Sequence, residues 1–288
     1  MRQAPLSKID LVLRPPVLVY GGPYSNLRAL TALRERADEL GIPASHVICT
    51  GDVVAYGAEP EETAAAVRAW GCHVVAGNCE AQLATAAEDC ACGFEQGSEC
   101  DRLAKGWYPF AKARISAESR SWMGGLPGSL TALIGDLCVR VIHGGVTAIN
   151  RFVFASQRGV IAEELEHAQA DVVVAGHAGL AFIERIGNRV WFNPGAIGMP
   201  ANDGTPDTWY GLIGAEDNSL LFSTRRLHYD HQAAAAAMMG HAYANGYARA
   251  LVTGLWPSLD VLPPAERAAT GQRLHERTVR VLAAAPTR

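Results

Sequence analysis

The tightest constraint in this sequence is where its polar side chains fall. They follow short apolar runs, and each stands beside a glycine. Val17–Tyr20 runs into Gly21, Gly22 and Pro23. His46–Thr50 runs into Gly51 and Asp52, and His73–Ala76 into Gly77 and Asn78. Apolar runs of this length, bounded by turn residues, predict buried strands. Between the first two, Leu27, Leu30, Leu33 and Leu40 recur near helical spacing before Gly41, and Glu61–Trp70 reads as a second helix. Strand, loop and helix in alternation predict an α/β fold with parallel pairing.

From residue 78 to 127 the pattern is mostly helical, interrupted at Cys90–Gly97. Leu130–Ile134 and Leu137–Ile142 then predict a hairpin about Gly135-Asp136. Val160–Gln169 predicts a helix and Asp171–Ala175 a strand. Ile183–Phe192 predicts a second hairpin turning at Gly187-Asn188, and Tyr210–Ile213 with Leu220–Arg226 a last β region. From His231 the chain is Ala-rich and reads as packing helices with a loosely held end, broken at Gly240, Gly254 and Pro263-Pro264.

Two later strands also end in polar residues, at His143-Gly144-Gly145 and at Gly176-His177-Ala178-Gly179. Ligand sites in α/β sheets collect at strand C-termini, where the loops converge. Glycine there lets the backbone approach a bound ion or phosphate closely. Singly, each residue has a plain reading: a hydrogen-bonded structural histidine, or an Asp or Asn in a turn or cap. Asp52, Asn78, His143 and His177 together, in this order, point to a site.

Composition sets the outer limits. The chain has 288 residues, 49% hydrophobic and 19% charged, with a formal net charge of -4. That is globular, and it carries no basic run that would suit general nucleic-acid binding. No apolar stretch reaches the ~18 residues of a membrane span. Met1 to Pro16 is interrupted by Lys8, Asp10 and Arg14 and lacks the apolar core of a signal peptide, so a cytoplasmic location is expected. Seven cysteines, an odd number, argue against a disulfide framework. Cys49, Cys72 and Cys138 lie in apolar runs and are expected to be buried. Cys79, Cys90, Cys92 and Cys100 are separated by 10, 1 and 7 residues, with no C-x-x-C pair. Three readings stay open for them: spare thiols in a loop, a redox pair or local disulfide, or a metal site in which Cys79 joins the main pocket as a soft ligand.

Across roughly residues 17–226 the chain resembles the calcineurin-like metallophosphoesterases. Their motifs run Asp-x-His, Gly-Asp, Gly-Asn-His-Asp/Glu, His-Gly and Gly-His-x-His. Asn26-Leu27-Arg28-Ala29-Leu30 resembles the stretch after the first motif. Gly51-Asp52 with Tyr56-Gly57 and Pro60 resembles the second, and Asn193-Pro194-Gly195 the turn after the last. The resemblance implies a four-layer αββα sandwich of two mixed β-sheets flanked by helices. Residues 1–230 would form that domain, and residues 231–288 a helical extension packed on it. It also implies hydrolysis of a small phosphorylated substrate, a mono- or diester, by metal-bound water. Homo-oligomerisation is left open.

The chain departs from the family in a pattern. Anchored on Asn26–Leu30, the first motif falls on Gly22-Pro23-Tyr24, so Gly22 stands for the family's Asp and Tyr24 for its His. Cys79 stands for the third-motif His, and Gly179 for the last His. By resemblance one metal keeps only the bridging Asp52, while the other keeps Asp52, Asn78, His143 and His177. The expected cofactor is therefore one divalent transition metal per chain, Mn, Fe or Zn. Tyr24 could add a phenolate from the stripped side, or be a structural tyrosine. Glu80 is expected to orient its neighbours. Cys79 takes the place of the acid that assists the leaving group. A thiol near a cation tends to ionise, so activity is expected to be weak or limited to good leaving groups. Arg151, eight residues past His143, is a candidate for binding an anionic substrate, with an ion-paired surface arginine as the plain reading. The rival to an enzyme is a non-catalytic member that keeps a metal or anion as a sensor or interaction protein. A third reading is non-phosphoester chemistry at a single iron.

Overall fold

A computed structural model of the chain describes residues 8–241 and 243–282. The readings of the N-terminus over residues 1–7 and of the tail past 282 lie outside the described residues.

Among the described residues twelve strands form two sheets of six. They are β1 (Leu11–Leu13), β2 (Val17–Tyr20), β3 (Val47–Cys49), β4 (His73–Val74), β5 (Ser129–Ile134), β6 (Leu137–Ile142), β7 (Val172–Val174), β8 (Ala181–Ile186), β9 (Arg189–Pro194), β10 (Thr208–Glu216), β11 (Ser219–Leu227) and β12 (Arg277–Leu282). One sheet runs β1-β5-β6-β7-β9-β8, the other β12-β11-β10-β2-β3-β4. Both are mixed. β2, β3 and β4 pair in parallel, as do β6, β7 and β9, while the hairpins β5–β6, β8–β9 and β10–β11 are antiparallel.

The alternation of side chains along each strand builds the layers. In β2, Val17 and Val19 face the other sheet, meeting Val139, Val141, Val172 and Val174 in a core between the sheets. Leu18 and Tyr20 point the other way, into a core shared with the helices on that side. Those helices are α1 (Leu27–Glu39), α2 (Pro60–Trp70), α3 (Asn78–Ala84), α4 (Glu99–Lys112) and α5 (Ala117–Gly124). On the opposite outer face, α6 (Arg158–Ala168) buries Ile161 and Leu165 against Val173 and Trp191. The result is the expected four-layer αββα sandwich.

Local chemistry sets the helix ends. The Asn26 side chain accepts from the Ala29 amide and caps α1. Pro60 opens α2, and Gly71 closes it in the left-handed region.

The tail differs from its sequence reading. α7 (His231–Met238), α8 (Asn245–Thr253) and α9 (Pro264–Ala268) are present, and Met238, Tyr247 and Leu251 enter the same core as α1 and α2. Beyond them, among the described residues, β12 pairs with β11 over six residues and becomes the edge of a sheet. Val279 and Val281 face the inter-sheet core, which supplies the burial a free tail would lack. β1 is likewise an addition, pairing in parallel with β5. Cys49 is buried as expected, but Cys72 and Cys138 are only half-buried. Among the described residues no helix is long and apolar enough to cross a membrane.

Candidate metal centre

The loops after β2, β3, β4, β6 and β7 meet at one end of the sandwich. Backbone bonds knit them: the Tyr24 amide to the Asp52 carbonyl at 3.2 Å, Ser25 to Val53 at 2.9 Å, and Gly176 to His143 at 2.6 Å. Asp52 (φ 54°), His177 (φ 59°) and Tyr24 (φ 51°) all hold left-handed backbone. For a non-glycine residue that conformation costs roughly 1–2 kcal/mol, and such strain collects where geometry serves a site. Gly77 has no room for a side chain, because a Cβ there would strike the Asp52 carboxylate.

Asp52, His143 and His177 are buried, each with a ligand atom within 4.8 Å of the others. His143 Nε2 lies 3.0 Å from His177 Nδ1, 3.0 Å from Asn78 Oδ1 and 3.3 Å from Asp52 Oδ2. His177 Nδ1 lies 3.9 Å from that same Asp52 oxygen.

Counting protons shows what these atoms need. His143 Nδ1 sits 2.6 Å from the Thr50 carbonyl, which can only accept. Nδ1 therefore carries a proton, and in the neutral imidazole Nε2 presents a lone pair. The Asn78 amide nitrogen donates to the Cys90 carbonyl at 2.8 Å, which turns Oδ1 toward His143. Four lone-pair atoms thus converge with too few protons to pair them. Ligands around an ion at ~2.0–2.2 Å stand about 3.0–3.5 Å from one another, which is the spacing of most of these contacts. Asp52, His143 and His177, with Asn78 Oδ1 beside them, could hold a metal ion.

The charges agree. Burial raises the Asp52 carboxyl, but the His143 and His177 imidazoles outweigh it and hold the group below the usual carboxylate range. Burial lowers His143, yet Asp52 beside it leaves it above the ordinary histidine value. His177 is lowered, first by burial.

Glu80 braces the ligands from below. It is fully buried and accepts from the amides of Asp52 at 2.7 Å, Gly77 at 2.9 Å and Val54 at 3.3 Å. Burial, then the Asp52 charge, pushes it up to about 7. Asn193 does similar work on the far side, donating to the Gly176 carbonyl and accepting from Gly195.

The stripped half is filled. The Tyr24 ring lies over Gly22, where any Cβ would collide with it. A Cβ on Gly179 would stand 3.8 Å from the Tyr24 hydroxyl and 3.3 Å from Trp256. Three of the four positions that depart from the family motifs, Gly22, Tyr24 and Gly179, are thus brought together, with a neutral phenol and an indole against the glycines. Burial, then Asp52, raises the Tyr24 hydroxyl well above its ordinary value.

Cys79 is buried and sits beside Asn78, its sulfur 3.6 Å from the amide nitrogen. Burial, then Asp52, pushes its thiol well up, so it stays protonated. Cys90 and Cys92 form a disulfide against the Asn78 side chain, while Cys100 is free. Arg151 is ion-paired, 2.6 Å from Glu164 and 3.1 Å from Glu163. Both partners lie on α6, so the guanidinium is held there.

Sequence reasoning missed two features. Thr50 fixes the His143 tautomer through its backbone carbonyl, which no side-chain pattern reveals. An aromatic pocket beside His177, lined by Tyr24, Tyr56, Phe94, Phe152, Tyr247 and Trp256, gathers residues from across the chain.

Comparisons with known proteins agree with this geometry. A family model described as the calcineurin-like phosphoesterase superfamily domain matches residues 25–217. The fold is similar to a metallophosphoesterase from Sphaerobacter thermophilus, with TM-score 0.64 and 19% identity, covering 84% of this chain and 100% of that one. It is also similar to a hypothetical protein from Pyrococcus horikoshii OT3, with TM-score 0.71 and 16% identity, covering 85% and 100%. No curated protein matches the sequence. With the family model spanning most of its length and the fold agreeing, the chain belongs to the calcineurin-like phosphoesterase superfamily.

Proposed function

We propose that the chain hydrolyses small phosphate esters at a single-metal centre. Asp52, Asn78, His143 and His177 would hold the ion. The observation that carries this reading is the convergence of four lone-pair atoms at ligand spacing. A bound divalent ion would polarise the phosphoryl group and lower the pKa of a water.

The chain's own residues do the rest. Glu80 holds the Asp52 loop through three amides and so fixes the carboxylate. The Thr50 carbonyl keeps His143 in the ligating tautomer. Tyr24 closes the side where a second ion would otherwise sit. Cys79 is a weak acid in a buried place, so the leaving group receives little proton assistance. Esters with good leaving groups should therefore be preferred. Arg151 could reach an anion only by giving up its glutamates on α6, which ranks it below the metal ligands as a substrate contact.

A second reading follows from Tyr24 itself. With half the usual motif set replaced, the chain could bind a phosphorylated ligand without turning it over. Turnover of p-nitrophenyl phosphate and its bis-ester with Mn, Fe or Zn separates the two. The enzyme reading expects a metal-dependent rate that His177→Ala lowers by at least about 100-fold. A wild-type rate no higher than that of His177→Ala would leave the binding role.

A further inference from the structure

The aromatic pocket lies directly against one of the four proposed metal ligands. His177 is on its wall, with the Phe152 ring 4.1 Å from the imidazole, centre to centre. Tyr56 packs against Tyr24 at 4.9 Å and against Tyr247 at 4.7 Å. Phe94 stacks on Phe152 at 6.1 Å, and Trp256 is held by its indole N–H bond to the Pro200 carbonyl. The pocket encloses about 70 Å³. That is several times the ~10–15 Å³ a single water requires.

Its chemistry narrows the occupant. Among the described residues no Asp, Glu, Lys or Arg lines it. Burial, first of all, raises the Tyr24, Tyr56 and Tyr247 hydroxyls well above their ordinary values, so the phenols stay neutral. Aromatic cages can hold quaternary ammonium groups. Here, however, no carboxylate lines the wall, and the neighbouring centre is built for a cation, which would repel a second one. A neutral ring, stacked face or edge on its neighbours, meets neither obstacle.

An aryl ester gives a phenolate as its leaving group, with a conjugate-acid pKa near ~10 as in tyrosine, and a phenolate leaves more readily than an alkoxide. Hydrolysis forms a P–O bond from water and breaks the P–O(aryl) bond. The electron pair departs on the phenolate, and the proton of the water passes to solvent.

We propose that this pocket receives the ring of an aryl phosphoester whose phosphoryl group faces His177. Only the placement of the phosphoryl half rests on the phosphoesterase reading. The ring site rests on the pocket itself.

The test compares phenylphosphonate with methylphosphonate, whose P–C bonds resist hydrolysis, by calorimetric titration of the metal-loaded protein. Burying one ring at ~25 cal/mol per Å² predicts a phenyl-to-methyl affinity ratio of about 10–100. In Phe94→Ala and Trp256→Ala that ratio should fall toward unity. Should one variant fail to fold, the other reads the same quantity. Equal affinities in the wild type, no binding of either phosphonate, or a ratio unchanged in the variants would overturn the ring site. Tighter binding of phosphocholine than of phenylphosphonate would overturn it in favour of a cation cage. A retained ratio with no turnover of phenyl phosphate would uphold the ring site and remove the phosphoesterase reading. Turnover without any phenyl preference would do the reverse.

Discussion

At the scale of single residues, the centre depends on side chains that bind nothing themselves. Glu80 satisfies three buried amides at once. Glu80→Ala would orphan them, and each unsatisfied buried group costs about 1–3 kcal/mol. We expect a loss of at least about 2 kcal/mol in urea unfolding, with weaker metal retention. Glu80→Gln, which keeps an acceptor, should lose less. Gly22 gives a second case. Gly22→Ala would push a methyl into the Tyr24 ring, a clash of the overpacking kind that costs about 1–3 kcal/mol. Combining it with Tyr24→Ala should recover part of that loss, because the two changes meet in one contact. Strictly additive losses in thermal unfolding would contradict the packing of this ring on Gly22. The four candidate ligands could be picked out in the sequence because each follows a strand and adjoins a glycine. The purpose of Gly22 could not, since a motif shows only that an aspartate is missing, not that a ring has filled the place.

At the scale of elements, helices are pinned to one another by their ends. Glu61, in the first turn of α2, accepts from the Ser116 amide and hydroxyl at 2.8 Å each and from the Ser119 hydroxyl at 2.9 Å, where α5 begins. Burial raises its pKa, but these donors outweigh burial and hold it below the ordinary carboxylate value. A depressed folded pKa contributes stability that is fully present above the unfolded value of ~4.3 and is lost as pH falls through the folded value. Glu61→Ala should therefore cost about 1 kcal/mol at neutral pH, as a lost cap does. The gap to wild type should shrink below about pH 4, read as denaturant midpoints across pH. A gap that widens in acid would contradict the assignment. Most elements could be read from periodicity, but β1 and β12 could not. Leu11–Leu13 is too short to show a period. Arg277–Leu282 does alternate, with Val279 and Val281 inward, but it follows an Ala-rich stretch and its partner β11 is 50 residues earlier in the chain. A strand of that kind is defined by the edge it completes.

At the scale of the whole molecule, the sandwich brings two unlike surfaces together at one end. Four strand-end loops supply the donors, and Tyr24, Phe94, Phe152, Tyr247 and Trp256 supply an uncharged wall from distant parts of the chain. The donors follow a motif order and were visible in advance. The wall has no local period and becomes visible only once the chain is folded. On the proposed reading, they form a centre for one ion, with an aromatic chamber beside it. The most direct measurement is elemental analysis of the freshly purified protein, expressed per chain, alongside His143→Ala. About one Mn, Fe or Zn per chain, lost in the variant, is the expected result. Near-zero metal with no gain on reconstitution, or about two ions per chain, would contradict a single-metal centre.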